Sequence, residues 1–300
     1  FGEGDRATGV HDVDMAGRQV MVTGCTAGLG RVGAVKLAEM GADVALVCRN
    51  RSKGETLREE IARRTRRDCA SLFVGDLGSQ RDIRAIAEAY LETDRPLHVL
   101  FNNAGVIMQR KTETADGFET TFGVNHIGYF LLTLLLVDRL AASAPARIVN
   151  TASDAHRSSG GRLDFDNLRA EKKFSIMRSY GSSKLANILF TRELARRLEG
   201  RGITVNAFHP GMVGSDFSKN NGLLARIVMN LLRPFSRSPL KGAETGIYLC
   251  TSPEVEGETG RYYYDCKEHE PAEQAMNDED AKRLWELSEG WTGASLREHR

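Results

Sequence analysis

The sequence predicts an α/β domain: one doubly wound, seven-stranded parallel sheet with helices on both faces. Three observations predict it. Short, β-branched apolar runs alternate with amphipathic helical stretches along the chain. The runs are apolar at nearly every position, as strands covered on both faces must be. The turn after the first run, "TGCTAGLG" (23–30), carries Gly24, Gly28 and Gly30, at the crevice where such a sheet binds its ligand.

Taken in order, strands are expected at 19–23 (QVMVT), 43–48 (DVALVC), 70–75 (ASLFVG), 97–102 (LHVLFN), 146–152 (ARIVNTA), 203–209 (ITVNAFH) and 260–264 (GRYYY). Helices are expected between them, at 28–40, 52–65, 79–93, 117–140, 178–199 and 240–250. Residues 1–16 contain no apolar run and read as an N-terminal arm, with the sheet domain over 17–265. A polar extension follows from 266 to 300, holding one short amphipathic helix with Leu284, Trp285 and Leu287. That helix either docks on the core or closes the mouth of the site.

Three hundred residues, 41% of them hydrophobic, suffice for a sizeable core. A net charge of +1 gives no field pointing to nucleic acid. The five cysteines form no CxxC pair and no metal-ligand spacing, so no metal is expected and the thiols read as reduced, in a cytoplasmic protein. No stretch approaches about 18 uninterrupted apolar residues, so no membrane span is expected. "IGYFLLTLLLVDRL" (127–140) ends in charge and reads as a core helix.

Chemistry gathers at the strand ends. Glycines after the first strand either make an ordinary strand-to-helix turn or let a pyrophosphate approach a helix N-terminus, where free N–H groups and the macrodipole favour negative charge. Asp76, in "VGDL", is placed to accept from an adenine amino group. "NNAG" offers Asn103, Ala104 and Gly105 where a flat ring or ribose passes. "NTASDAH" presents Ser153 after Thr151, and "HPGMVGS" bends the chain at Pro210 and Gly211. In "YGSSK", Tyr180 and Lys184 stand four residues apart on one helix face, and an ammonium there is expected to lower the phenol pKa toward the range of proton transfer. His126 and His209 have no second ligand at metal spacing and read as structural.

In this order, "TGxxxGxG", "NNAG", the Asn of "VNHIGYF", a Ser after the fifth strand and "YxxxK" resemble the short-chain dehydrogenase/reductase family over about residues 17–265. The resemblance implies a Rossmann domain with Tyr180 as general acid/base on the substrate oxygen and Ser153 bonded to that oxygen. Lys184 would lower the tyrosine pKa and bind the nicotinamide ribose, and Asn125 would support a proton-relay water. Cofactor contacts are implied from Gly24, Thr26, Ala27, Gly28, Leu29 and Gly30; from Asp76, Leu77, Asn103, Ala104, Gly105 and Thr151; and from Pro210, Gly211, Val213 and Ser215. At the end of the second strand, "CRNRSKGE" puts Arg49, Asn50 and Lys53 where an acidic residue would select NAD; a guanidinium forks onto a 2′-phosphate instead, so NADP(H) is expected.

The long insert between Ser153 and Tyr180, with "CRNRSKGE" and "YGSSKLANILFTRELARRL", resembles the retinol dehydrogenase-like branch, which also includes WW-domain oxidoreductases. That branch implies reversible reduction of a lipophilic aldehyde or ketone. Two alternatives stand beside it: a light-dependent protochlorophyllide-type C=C reductase, and a regulator that senses NADP(H) without turnover. No membrane anchor is expected ahead of the domain, in contrast to the animal retinol dehydrogenases, which leaves retinoid specificity open. Residues 212–239 are expected to form a substrate lid, a helix packed on its own domain, or a helix resting on a membrane. The 127–140 and 178–199 helices match positions that pair between subunits in family oligomers, and burial within one subunit accounts for them equally.

Overall fold

In the computed structural model, β1 (Gln19–Thr23) and β2 (Asp43–Cys48) are buried at every position except Asp43, and pair in parallel from Gln19↔Asp43 to Thr23↔Val47. The structure describes residues 13–211 and 237–296. Side chains alternate between the two faces of the sheet. Val20, Val22, Val44 and Leu46 therefore meet α1 (Gly28–Glu39) and α2 (Arg51–Thr65) on one side. Met21, Ala45 and Val47 meet α3 (Gln80–Leu91) on the other.

The remaining parallel strands are β3 (Ala70–Val74), β4 (Val99–Asn102), β5 (Ala146–Thr151), β6 (Ile203–Phe208) and β7 (Tyr262–Tyr264). A two-residue β8 (Lys267–Glu268) completes the order β3-β2-β1-β4-β5-β6-β7-β8. The order reverses between β1 and β4, which puts the ends of those two strands at the mouth of a crevice. Seven parallel strands are expected from the sequence; the sheet has eight, and the last is antiparallel to β7. The hairpin that adds it turns through Asp265 (φ 49°) and Cys266 (φ 58°). Two consecutive left-handed residues make the tight reversal that suits twisted strands, here without the usual glycine.

The long apolar helix is broken in register. It begins as α4 (Thr120–Phe122), loosens to a π turn over Gly123–Ile127, and resumes as α5 (Gly128–Ala142). By length and composition Thr120–Ala142 is apolar enough to cross a membrane, yet 89% of that window is buried inside the fold. α6 (Ile176–Arg197) lies beside it, and α7 (Pro239–Thr251) packs on α1 across the sheet. The C-terminal helix α8 (Asp278–Thr292) is capped by Asn277, whose side chain accepts from the Asp280 N–H. It packs along α6, with Trp285 stacked on Phe190 and edge-on to Phe130.

Candidate active site

β1 and β4 end side by side, and their turns are tied together. Thr23 Oγ1 accepts from the backbone N–H groups of Asn103 (2.9 Å) and Ala104 (3.0 Å), and Asn103 Nδ2 donates to Thr23 O at 3.0 Å. Gly24 has φ +65°, and a Cβ there would stand 2.7 Å from Ala104 Cα, which is backbone and cannot yield. Asn103 and Ala104 thus brace the glycine turn from behind. The turn leads into α1, whose N-cap Ala27 makes no side-chain cap and whose first turn holds no acid. Thr26, Ala27, Gly28 and Leu29 all reach the surface around that N-terminus, whose free N–H groups attract an anion.

Arg49 and Lys53 are exposed beyond β2. Asn50 serves as N-cap of α2, its Oδ1 accepting from the Lys53 N–H at 2.9 Å. Asp76 Oδ1 accepts from the Gly78 N–H at 2.8 Å, and Oδ2 faces the Arg49 guanidinium at 3.7 Å. Leu77 is buried in the core beneath.

The third group lies at the ends of β4 and β5, against α6. Lys184 is 2% exposed, and its Nζ donates to Thr151 O at 2.9 Å while lying 5.8 Å from the centre of the Tyr180 ring. Asn187 Nδ2 shares that Thr151 carbonyl at 3.2 Å. Tyr180 is partly exposed and hydrogen-bonded to Ser153, whose own Oγ accepts from the Ala155 N–H at 3.1 Å. Asn125, fully buried in the π turn, holds Val106 by both ends: Oδ1 accepts from its N–H at 2.8 Å and Nδ2 donates to its carbonyl at 3.0 Å. The same Nδ2 donates to Ser183 Oγ at 3.0 Å, and Ser183 Oγ donates to Tyr180 O at 2.7 Å. A Cβ on Gly105 would meet Asn125 Oδ1 at 3.5 Å and Lys184 Nζ at 3.7 Å, so "NNAG" ends against the same cluster.

The electrostatics correct one expectation. Burial drives the Lys184 ammonium down to about 7, and burial raises the Tyr180 phenol, opposed by its hydrogen bond to Ser153. The sequence reading has Lys184 lowering the phenol; here the net shift is upward, because burial of the phenol outweighs its hydrogen bond to Ser153, and spacing does not reveal that burial. His209 is pushed down to about 4 by burial, and its Nδ1 accepts from the Asp154 and Gly211 N–H groups while its ring stacks on Tyr264. Pro210 and Gly211 follow it at the rim of the site. Val213, Ser215 and most of the expected lid lie outside the described residues.

Thr23 and Ser183 escape the sequence reading, although both stand inside quoted motifs. One hydroxyl at a strand end and one between Tyr180 and Lys184 give no signal in spacing.

The donor set suits a dinucleotide. It offers an uncapped helix N-terminus beside a tight glycine turn, guanidinium and ammonium groups beyond β2, and a buried ammonium shifted by burial alone. Against known proteins, the family model for short chain dehydrogenase matches residues 18–165 and 166–223. Retinol dehydrogenase 12 of Mus musculus is 43% identical over 277 residues, covering 92% of this chain and 87% of that protein. The crystal structure of an uncharacterized protein from Mycobacterium paratuberculosis superposes with a TM-score of 0.78 at 29% identity, covering 97% of this chain and 100% of that one. The Pseudomonas aeruginosa RhlG/NADP active-site complex gives a TM-score of 0.67 at 26% identity, over 84% of this chain and 96% of its own. On these matches the chain belongs to the short-chain dehydrogenase/reductase family, in its retinol dehydrogenase-like branch, and is an oxidoreductase.

Proposed function

We propose that the protein is an NADP(H)-dependent reductase of lipophilic aldehydes or ketones, acting reversibly on the corresponding alcohols. The observation that carries this reading is the convergence of Ser153, Tyr180, Lys184 and Asn125 at the ends of β4 and β5, beside the glycine turn. The turn and the α1 N-terminus would hold the pyrophosphate, Arg49 the 2′-phosphate, and Lys184 the ribose nearest the reacting atoms. When bound, the nicotinamide supplies or accepts a hydride at the substrate carbon. Tyr180 gives its phenolic proton to the substrate oxygen in reduction and takes it back in oxidation. Ser153 donates to the same oxygen and so fixes the carbonyl against the phenol. Lys184 favours phenolate when protonated, and a pKa of about 7 lets it exchange protons near neutrality.

The choice of NADP(H) rests on Arg49. Its pairing with Asp76 spans 3.7 Å between side chains 62% and 45% exposed, and such a pair is worth well under about 1 kcal/mol. Arg49 would therefore be free to turn from Asp76 to a 2′-phosphate, which offers more charge and a bidentate contact. The bound NADP of the Pseudomonas aeruginosa structure supports the same cofactor. The test is a fluorescence titration of NADPH and NADH into the wild type and Arg49→Ser. Tighter NADPH binding that falls on the order of tenfold in the variant, with NADH unchanged, is expected. Equal affinity for the two nucleotides in the wild type would overturn the assignment.

A further inference from the structure

His126 directly follows Asn125 in the π turn, and the mechanism above makes no use of it. Its ring is fully buried, with the rings of Phe122, Phe130 and Phe190 at 5.1, 6.3 and 6.0 Å. Burial pushes it down to about 3, against a smaller opposing contribution from Asn187, so it is a neutral imidazole. Its Nε2 lies 3.1 Å from Ser288 Oγ on α8. Ser288, itself fully buried, spends its own proton on Leu284 O at 2.8 Å. The hydroxyl is therefore the acceptor, and His126 donates from Nε2.

The geometry assigns Ser288 as a positioning residue: through His126 it pins the π turn that presents Asn125 to Val106 and Ser183. A π turn is a rare, locally less favourable register that persists where side chains hold it. Asn125 anchors it on the side facing the site and His126 on the side facing α8. Removing the Ser288 hydroxyl leaves an N–H orphaned among aromatic rings, a strong incentive for the turn to relax toward α-helical register. Relaxation would carry the Asn125 amide off Val106 and Ser183, and Ser183 is the link to the Tyr180 backbone. α8 lies in the C-terminal segment that follows the sheet, so the pin ties that segment to the site. The inference rests on Asn125 and Tyr180 serving the reductase chemistry proposed above.

Two variants test it, Ser288→Ala and the double Ser288→Ala with His126→Leu, in the full chain. Three quantities are read: the urea midpoint, kcat and KM for carbonyl reduction, and the side-chain amide NMR signals of Asn125 in asparagine-labelled protein. In Ser288→Ala, kcat is expected to fall on the order of tenfold with KM nearly unchanged, and the Asn125 amide signals to shift. In the double variant the orphaned imidazole N–H is gone, so stability recovers in part, while the turn stays unpinned, kcat stays low and the amide signals stay shifted. Should Ser288→Ala fail to fold, the double variant carries the same readings. Asn125 signals at their wild-type positions, or a kcat that recovers together with stability, would overturn the pin. If the wild type reduces no carbonyl compound, the reductase reading has failed and the amide signals alone decide the pin.

Discussion

Lys184 costs the fold stability. Its ammonium is buried, and its pKa falls from 10.5 to about 7. Between those values the unfolded chain holds a proton that the folded chain does not, so stability rises with pH across that window, and the full penalty is present below about 7. Lys184→Met should therefore melt higher than the wild type at pH 7 in the absence of nucleotide, with the gain shrinking toward pH 10, while carbonyl reduction is lost. Thermal melts at both pH values check this; equal melting temperatures at pH 7 would mean that the ammonium is not desolvated. The spacing of Tyr180 and Lys184 is plain in the sequence because one helix face repeats every four residues. The direction of the Tyr180 shift is not, because it depends on how deeply α6 sits against β5. Thr23 and Ser183 stay hidden for a related reason: their worth lies in bonds to Asn103, Ala104, Asn125 and Tyr180, remote in sequence or made to backbone.

Among the elements, the parallel strands and their crossover helices are legible from apolar runs and helical periodicity, to within a few residues at the ends. β8 is not, since its hairpin turns through Asp265 and Cys266 rather than a glycine pair. The π turn is equally silent, as "GVNHI" reads as ordinary helix and its register is set by what Asn125 and His126 meet in space. The sequence leaves α8 undecided between docking on the core and closing the site, and the structure buries its Trp285 to 2% exposure against Phe130 and Phe190, under the Arg197 guanidinium. Trp285→Ala should lower the unfolding free energy by about 3–5 kcal/mol, as truncation of a buried indole does. Urea denaturation measures this; a loss below about 1 kcal/mol would mean that α8 is an appendage and not part of the core.

The whole molecule carries several imidazoles that burial keeps neutral. His126 is driven to about 3 and His209 to about 4, and His98 and His156 are lowered as well. In the unfolded chain each titrates near about 6.5, so as pH falls below that value the unfolded state binds protons that the folded state refuses. Stability from these groups is complete above about 6.5 and is lost as pH falls toward their folded values, about 3 for His126 and about 4 for His209. Asp265 and Asp278, held low by Arg237 and Arg196, add a further loss only at the acid end. The urea midpoint should therefore decline steadily from pH 7 to pH 5, and a flat profile would contradict the buried-imidazole account. The central claim is that this fold brings Ser153, Tyr180 and Lys184 together to move a proton on a carbonyl oxygen. Its most direct test is NADPH oxidation by a panel of lipophilic aldehydes and ketones, in the wild type and in Tyr180→Phe, with NADPH binding measured in both. The account predicts turnover in the wild type and a loss of at least about a hundredfold in Tyr180→Phe with nucleotide binding retained. Undiminished turnover in the phenylalanine variant would contradict it.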